Sequence, residues 1–382
     1  MTDNPELIRE RDRRAAMFDG IMDDMGLDAI FLTSTAQQTC QLGIKYVSHY
    51  PLNTRRAFTF QRKGSLPVLI VPTVGQQFHA KYISWLPEEN VLAGNIVATL
   101  LEQLATLPKD ARVGWNEPGE LPVSIAGELA KTGLVFVDIT DEFRIRRSAK
   151  SPLEVRWTRE AGELAIRSFE HILPMLRPGV TEREIIGAAE GFLRANGAQD
   201  SLVLCRSEKP HSFISRAKDV PIAPDGVFVY SAELAGTEGY WTQIIRPVFM
   251  ARDAQPEAQE ILKAIRVAEK AGTDQIIPGR TIADVDIAIS RSVAESGYHT
   301  GVWSGHGMGA DLGNGVDIGA SNHMVIQPNM VLTLHPSIVS DTDGLLYSNT
   351  FLAREDGPCE NTTNRYTGSQ IWEDLMDEMK SR

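Results

Sequence analysis

The chain has 382 residues, 42% of them hydrophobic, and a formal net charge of −12. That length suits a sizeable core and two domains. A surface that tracks phosphates needs clustered Lys and Arg, so the acidity argues against a nucleic-acid partner. Three cysteines, Cys40, Cys205 and Cys359, form no CxxC pair. This fits a reducing cytoplasm rather than a disulfide framework. No apolar run of ~18 residues occurs, so no membrane partner is expected.

The opening "MTDNPELIRERDRR" is charged and lacks the apolar core of a signal peptide. Residues 5–26 carry apolar side chains at helical spacing and stop at Gly26. "LDAIFLTS" reads as a buried strand, and "RRAFTFQ" and "LPVLIVP" as two more joined by the turn "RKGS". "RVGWNE", a helix in "PVSIAGELAKTG", and "LVFVDIT" follow. Strands alternating with helices predict an α/β domain over 1–150. "RIRRSAKSPLEV", charged and bearing a proline, is the joint, and 151–382 forms the second domain.

That second domain opens with a long helix, "SPLEVRWTREAGELAIRSFEHILPML". A repeat then shows itself: "LRPGVTEREIIGAAEGFLRANG" is echoed by "IIPGRTIADVDIAISRSVAESG". Each copy has a Pro-Gly turn, a Thr able to cap a helix, an amphipathic helix and a Gly stop. Two related halves commonly hold a site between them. "GVFVYSAELAG", "GYWTQIIRPVFM", "NMVLTLHPSIV" and "LYSNTFLAR" are strand-like and predict one antiparallel sheet lining that site. "SGHGMGADLGNGVDIG" sets His306 among glycines, which let the backbone come close to a ligand.

Together these stretches resemble the creatinase/aminopeptidase P/methionine aminopeptidase superfamily, whose catalytic domain has the pita-bread fold. "GHGMGADLG" resembles its histidine loop and "IQPNMVLTLHP" the strand that precedes its Glu-Pro. "NTFLAREDGPCENTT" resembles its last strand and hairpin. The resemblance implies an α+β protein: a C-terminal pita-bread domain with a smaller α/β N-terminal creatinase-like domain. The superfamily's peptidases hold two metals with two Asp, one His and two Glu. At those positions this chain carries His306, His335 for one Glu, Ser348 for the other, and Gln243 for one Asp. The remaining Asp falls on Ala232, or on Glu233 if the hairpin is one residue shorter. A second His of the family corresponds to Gly313.

Hard divalent ions need oxygen-rich, charge-balancing sites, so no metal and no other cofactor is expected, the alternative being a single ion held by His306, His335 and Glu233. The resemblance is then to the metal-free branch, creatinase and ectoine hydrolase, which open C–N bonds in small nitrogenous molecules. It implies His211 as the proton-transferring group, His306 and His335 as polarising or protonating groups, and Glu233 as the counter-charge of a cationic nitrogen. Neutral imidazoles titrate near working pH and suit such tasks. Gln243 and Ser348 would shape the pocket. Trp241 would stack on a planar or cationic group. Arg55 or Arg56 would hold a substrate carboxylate, reaching it from the N-terminal domain of the other subunit in a homodimer.

The expected activity is metal-independent hydrolysis of an amide, amidine or guanidine-type C–N bond in a small polar, zwitterionic metabolite. A lyase using the same His base, an X-Pro-type metallopeptidase with an atypical site, and a non-catalytic peptide-binding module are the alternatives. Neither the substrate nor the facing of Glu233 follows from the sequence.

Overall fold

The computed structural model describes residues 4–34, 43–312 and 316–382. Cys40 and Gly313 lie outside them. The chain divides into two compact units, Met1–Arg147 and Ser148–Arg382. Among the described residues no helix is long and apolar enough to cross a membrane.

The first unit starts with the helix Pro5–Met25. The Asn4 side chain accepts from the Glu6 amide at one end, and Gly26 (φ 64°) closes the other. A mixed six-stranded sheet follows. Its strands are β1 (Ala29–Thr33), β2 (Phe58–Arg62), β3 (Val68–Val71), β4 (Val91–Ala93), β5 (Arg112–Trp115) and β6 (Val135–Asp138), in the order β4-β3-β2-β1-β5-β6. β1 is the pivot, antiparallel to β2 and parallel to β5. Phe31, Phe58, Phe60 and Val113 pack its core.

The second unit is built twice over from one device. Gly179 (φ 88°) and Gly279 (φ 93°) each turn the chain into a helix, Glu182–Ala195 and Ile282–Glu295. In each, the cap threonine and the acid three residues on satisfy each other's backbone amides: Thr181 with Glu184, Thr281 with Asp284. Such a capping box stabilises a helix start by about 1 kcal/mol. Each helix packs on a longer one, Pro152–Ile172 and Pro256–Thr273 respectively. The repeat legible in the sequence is therefore a repeated helix pair.

The strands of this unit are β7 (Asp200–Arg206), β8 (Val227–Ala235), β9 (Trp241–Phe249), β10 (His299–Thr300), β11 (Gly305–Gly307), β12 (Asp317–Ile318), β13 (Val331–Leu334), β14 (Ser337–Val339), β15 (Gly344–Leu346), β16 (Asn349–Leu352) and β17 (Glu360–Asn361). They form three ladders, β7-β8-β9, β10-β14-β15 and β12-β11-β13-β16-β17, not the single sheet expected. β9 and β16 do meet, through reciprocal backbone bonds between Ile245 and Ser348 at 3.2 Å. Beyond that bridge the Thr350 hydroxyl takes over. It accepts from the Gln243 amide at 3.1 Å and donates to the Gln243 carbonyl at 3.0 Å. A side chain standing between two backbones ends the ladder there.

The two faces of β8 and β9 divide the core. Ala232, Leu234 and Ile244 pack with Phe169 and Leu193, and Val227, Val229 and Ile245 pack with Ile265, Ile289 and Leu334. Successive side chains alternate between faces, so this division decides what β8 and β9 present to the site.

Candidate active site

Glu233 stands directly opposite Gln243 in the β8–β9 ladder, and Ala232 opposite Ile244. The turn between the strands is closed by the Gly236 amide bonding the Tyr240 carbonyl at 2.9 Å. This settles the two hairpin registers left open by the sequence. Ala232 faces the core, and Glu233 and Gln243 share a face that lines a cavity of about 420 Å³.

Two imidazoles enter the same cavity from the five-stranded ladder. His306 sits mid-strand in β11, opposite Thr333 on one side and Asp317 on the other. The backbone at Gly305 (φ 152°) is pressed so close to β13 that an added Cβ would lie 2.0 Å from the Thr333 carbonyl oxygen. Glycine is therefore required beside His306. His335 leaves the end of β13, and its amide bonds the Ser304 carbonyl at 3.0 Å. The two rings lie 5.3 Å apart, centre to centre, and Trp303 stands edge-on to His335 at 5.6 Å.

The electrostatics follow from burial. Glu233 makes no hydrogen bond or ion pair with the described residues, and desolvation pushes its carboxyl up to about 7. Burial also lowers His306, against the opposing pull of the Gly307 carbonyl and Asp317. His335 is pushed down to about 3, by burial first and by neighbouring His306 second. Its Nδ1 is buried without a partner, as is Oε1 of Gln243. Near pH 7 the cavity thus offers two neutral imidazoles, a neutral amide and, in Glu233, a carboxyl on the edge of ionising, with Asp317 also on its wall. Buried polar atoms are usually bonded, and two that are not, in one cavity, mark a site shaped for a polar ligand.

His211 takes a different place. It is buried, and Nδ1 lies 2.9 and 3.0 Å from the two carboxylate oxygens of Asp343. Its ring is not part of the cavity lining, although the next three residues, Ser212 to Ile214, are. Asp343 was not foreseen. It lies 132 residues away in sequence, in an Asp-Gly turn leading into β15, and that turn is its only local signal. Asp317, Phe213 and Trp303 also line the cavity without having been singled out.

Two expectations are corrected. Trp241 does not stack on a ligand. It is buried in an apolar cluster with Val155, Met308 and Leu352, two residues before Gln243 on β9, and does not line the cavity. Ser348 does not line the cavity. It is fully buried behind Ile245, which does, and its hydroxyl has no partner. Arg55 and Arg56 belong to the first unit. Arg56 is engaged there, donating to the Thr33 hydroxyl at 2.7 Å and the Glu120 carbonyl at 3.1 Å. Arg55 is exposed in a left-handed turn (φ 67°).

The residues do not fit a pair of divalent ions. Of the five positions that resemblance assigns to metal ligands, only Glu233 carries a carboxylate. Among the described residues, no three His, Cys, Asp or Glu side chains gather closely enough to hold a metal. Neutral amide and imidazole donors cannot balance the charge of two such ions in a buried site.

A sequence model of metallopeptidase family M24 matches residues 156–357. Among curated proteins, an uncharacterized peptidase, YqhT, of Bacillus subtilis is 26% identical over 231 residues, 58% of this chain and 64% of that one. An uncharacterized peptidase, SSP1059, of Staphylococcus saprophyticus is 30% identical over 232 residues, 58% and 65%. A putative dipeptidase, YkvY, of Bacillus subtilis is 27% identical over 252 residues, 63% and 68%. The chain thus spans just under two thirds of the length of the first two. Among solved structures, the Xaa-Pro dipeptidase from Bacillus anthracis superposes with a TM-score of 0.81 at 21% identity, covering 94% of this chain and 99% of that one. The prolidase from Pyrococcus horikoshii gives 0.79 at 21%, covering 92% and 98%. The fold is shared across both units, and the pita-bread architecture expected from the sequence is borne out.

Proposed function

The chain belongs to metallopeptidase family M24, and from that premise we propose that it is a hydrolase that has kept the family's cavity and exchanged its metal chemistry for acid–base chemistry. The bond opened is a C–N bond, of amide, amidine or guanidine type, in a small nitrogenous molecule. One observation supports this above the rest. Glu233, Gln243, His306 and His335 converge on one cavity, and three of these four side chains are neutral groups at positions where the resemblance expects carboxylates or a metal-bound imidazole.

The roles are assigned from the chemistry of each group and its place in the fold. His211, held at Nδ1 by Asp343, has its ring outside the cavity lining, so its part in the reaction, taking a proton from the attacking water at Nε2, requires a relay into the cavity past Ser212. The hydroxide adds to the electrophilic carbon. Neutral His306 and His335 donate N–H hydrogen bonds to the charge that develops on the substrate's oxygen or imino nitrogen. The protonated His211 returns its proton to the leaving nitrogen as the C–N bond breaks. Glu233, lacking any partner, takes the substrate's cationic nitrogen as its counter-charge.

The names of the relatives favour a second reading, a dipeptidase in which Glu233 meets the free α-amine. One assay separates the two. Chelator-treated protein is given amidines, lactams, N-acyl amino acids and Xaa-Pro dipeptides, with and without added Mn²⁺. Turnover of one of the first three classes, unaffected by chelator and reduced ~10²-fold in His306→Ala, supports the proposal. Hydrolysis of the dipeptides alone, and only with metal, overturns it.

A further inference from the structure

The cavity that holds the polar groups has an aromatic mouth. Phe213 and Trp303 both line it and are 70% and 62% exposed. Glu233, by contrast, lies on its buried side. Large apolar side chains held open to water at the edge of a pocket mark a surface that a ligand covers. The lining also includes the apolar side chains of Ile245, Leu346 and Val302. No Lys or Arg is among the lining residues, so the cavity wall has no cationic side chain to neutralise an anionic group.

We propose that the cavity selects a ligand in which one cationic nitrogen is joined directly to an apolar, planar body. The nitrogen meets Glu233, and the body lies against Phe213 and Trp303. This names the substrate class for the site described above and rests on that reading only for the choice of cavity. A compact, wholly polar molecule would leave the aromatic mouth wet and give up the contacts the lining offers. A planar body gains them by stacking. The volume, about 420 Å³, sits toward the lower end of the ~300–1,000 Å³ usual for small-molecule sites. That admits one ring and its cationic substituent and leaves little room for a longer peptide.

Binding tests this without any turnover. Phenylguanidine, its neutral isostere phenylurea, guanidinium without a ring, and benzoate are each titrated calorimetrically at pH 8, where Glu233 is mostly ionised. Phenylguanidine is expected to bind at least about tenfold more tightly than guanidinium, and more tightly than phenylurea; benzoate is expected not to bind. Trp303→Ala and Phe213→Ala, both at exposed positions that tolerate truncation, should bring phenylguanidine towards the affinity of guanidinium and leave guanidinium unchanged. Glu233→Gln should abolish the preference over phenylurea. Equal binding of phenylguanidine and guanidinium, indifference to both aromatic truncations, or no binding of phenylguanidine overturns the inference. If the hydrolase assay succeeds on a compact polar substrate while these titrations fail, the reaction stands and the substrate class does not. The reverse pattern keeps the ligand class and removes the reaction.

Discussion

Nδ1 of His211 lies 2.9 Å from Oδ2 of Asp343, and the same carboxylate accepts from the His211 amide at 2.9 Å and the Gly344 amide at 2.8 Å. Ring and backbone of His211 are thus fixed by a single acid. Burial raises the Asp343 carboxyl, but the bonds from the His211 side chain and amide and from Gly344 outweigh it and hold the group down at about 2.

Asp343→Asn should leave the fold intact, cut turnover by ~10²-fold or more, and change the tautomer of His211 as read from its ¹⁵N shifts. Because the folded carboxyl lies below its ordinary 3.8, its stabilisation is present above that pH and lost as pH falls from there through about 2. The stability gap between wild type and variant should therefore close over that acid window. An unchanged tautomer, or a gap independent of pH, would remove the pairing.

Glu233 behaves in the opposite sense. Its folded carboxyl lies at about 7, above its ordinary 4.5, so the folded state holds the proton more tightly. Stability is then greatest below pH 4.5, falls as pH rises through 7, and levels off above. Glu233→Gln should flatten that slope and stabilise the unliganded protein at pH 8, by up to about 3 kcal/mol. Chemical denaturation from pH 4.5 to 8.5 reads this directly. A cationic ligand should bind more tightly as pH rises through 7.

The two cavity imidazoles should stay neutral where an ordinary His is already charged. Burial and the neighbouring ring hold His335 down at about 3, and burial lowers His306. A depressed His stabilises above its ordinary 6.5, and that contribution disappears as pH falls from 6.5 through about 3. Two-dimensional NMR of the ring carbons should show no His335 titration between pH 7 and 5. A midpoint near 6.5 would mean the cavity is wet and the ring solvated.

Gly305→Ala is the sharpest test of how His306 is held. The added methyl would meet the Thr333 carbonyl at 2.0 Å, backbone that has no room to yield. The expected cost is about 3 kcal/mol, with His306 displaced and turnover lost together. Wild-type stability in this variant would contradict the described packing of β11 on β13.

How much of this was legible in the sequence depends on how local each signal is. The paired Pro-Gly-x-Thr helices were readable because a cap, its acid partner and the turn before them all lie within a few residues. Glu233 was identified by type but not by facing. One residue of hairpin length reverses which side chains a strand presents, and no local signal fixed the turn at Gly236–Gly239. Trp241 was misplaced because the side chains that bury it, Val155, Met308 and Leu352, come from segments far from it in sequence. Asp343 could not be paired with His211 because the contact joins loops far apart in sequence. Phe213 and Trp303 were passed over because an isolated aromatic in a loop looks the same whether it rims a cavity or packs a turn. Exposure, which only the folded chain has, distinguishes the two.

The central claim is that neutral imidazoles and one carboxylate occupy the place of bridged cations. Elemental analysis of the purified chain, made without added metal and then dialysed against Mn²⁺, Co²⁺ or Zn²⁺, tests it most directly. The account predicts no stoichiometric metal in either sample and no change in thermal midpoint on adding any of the three. Retention of two ions per chain through dialysis, lost in His306→Ala, would contradict it.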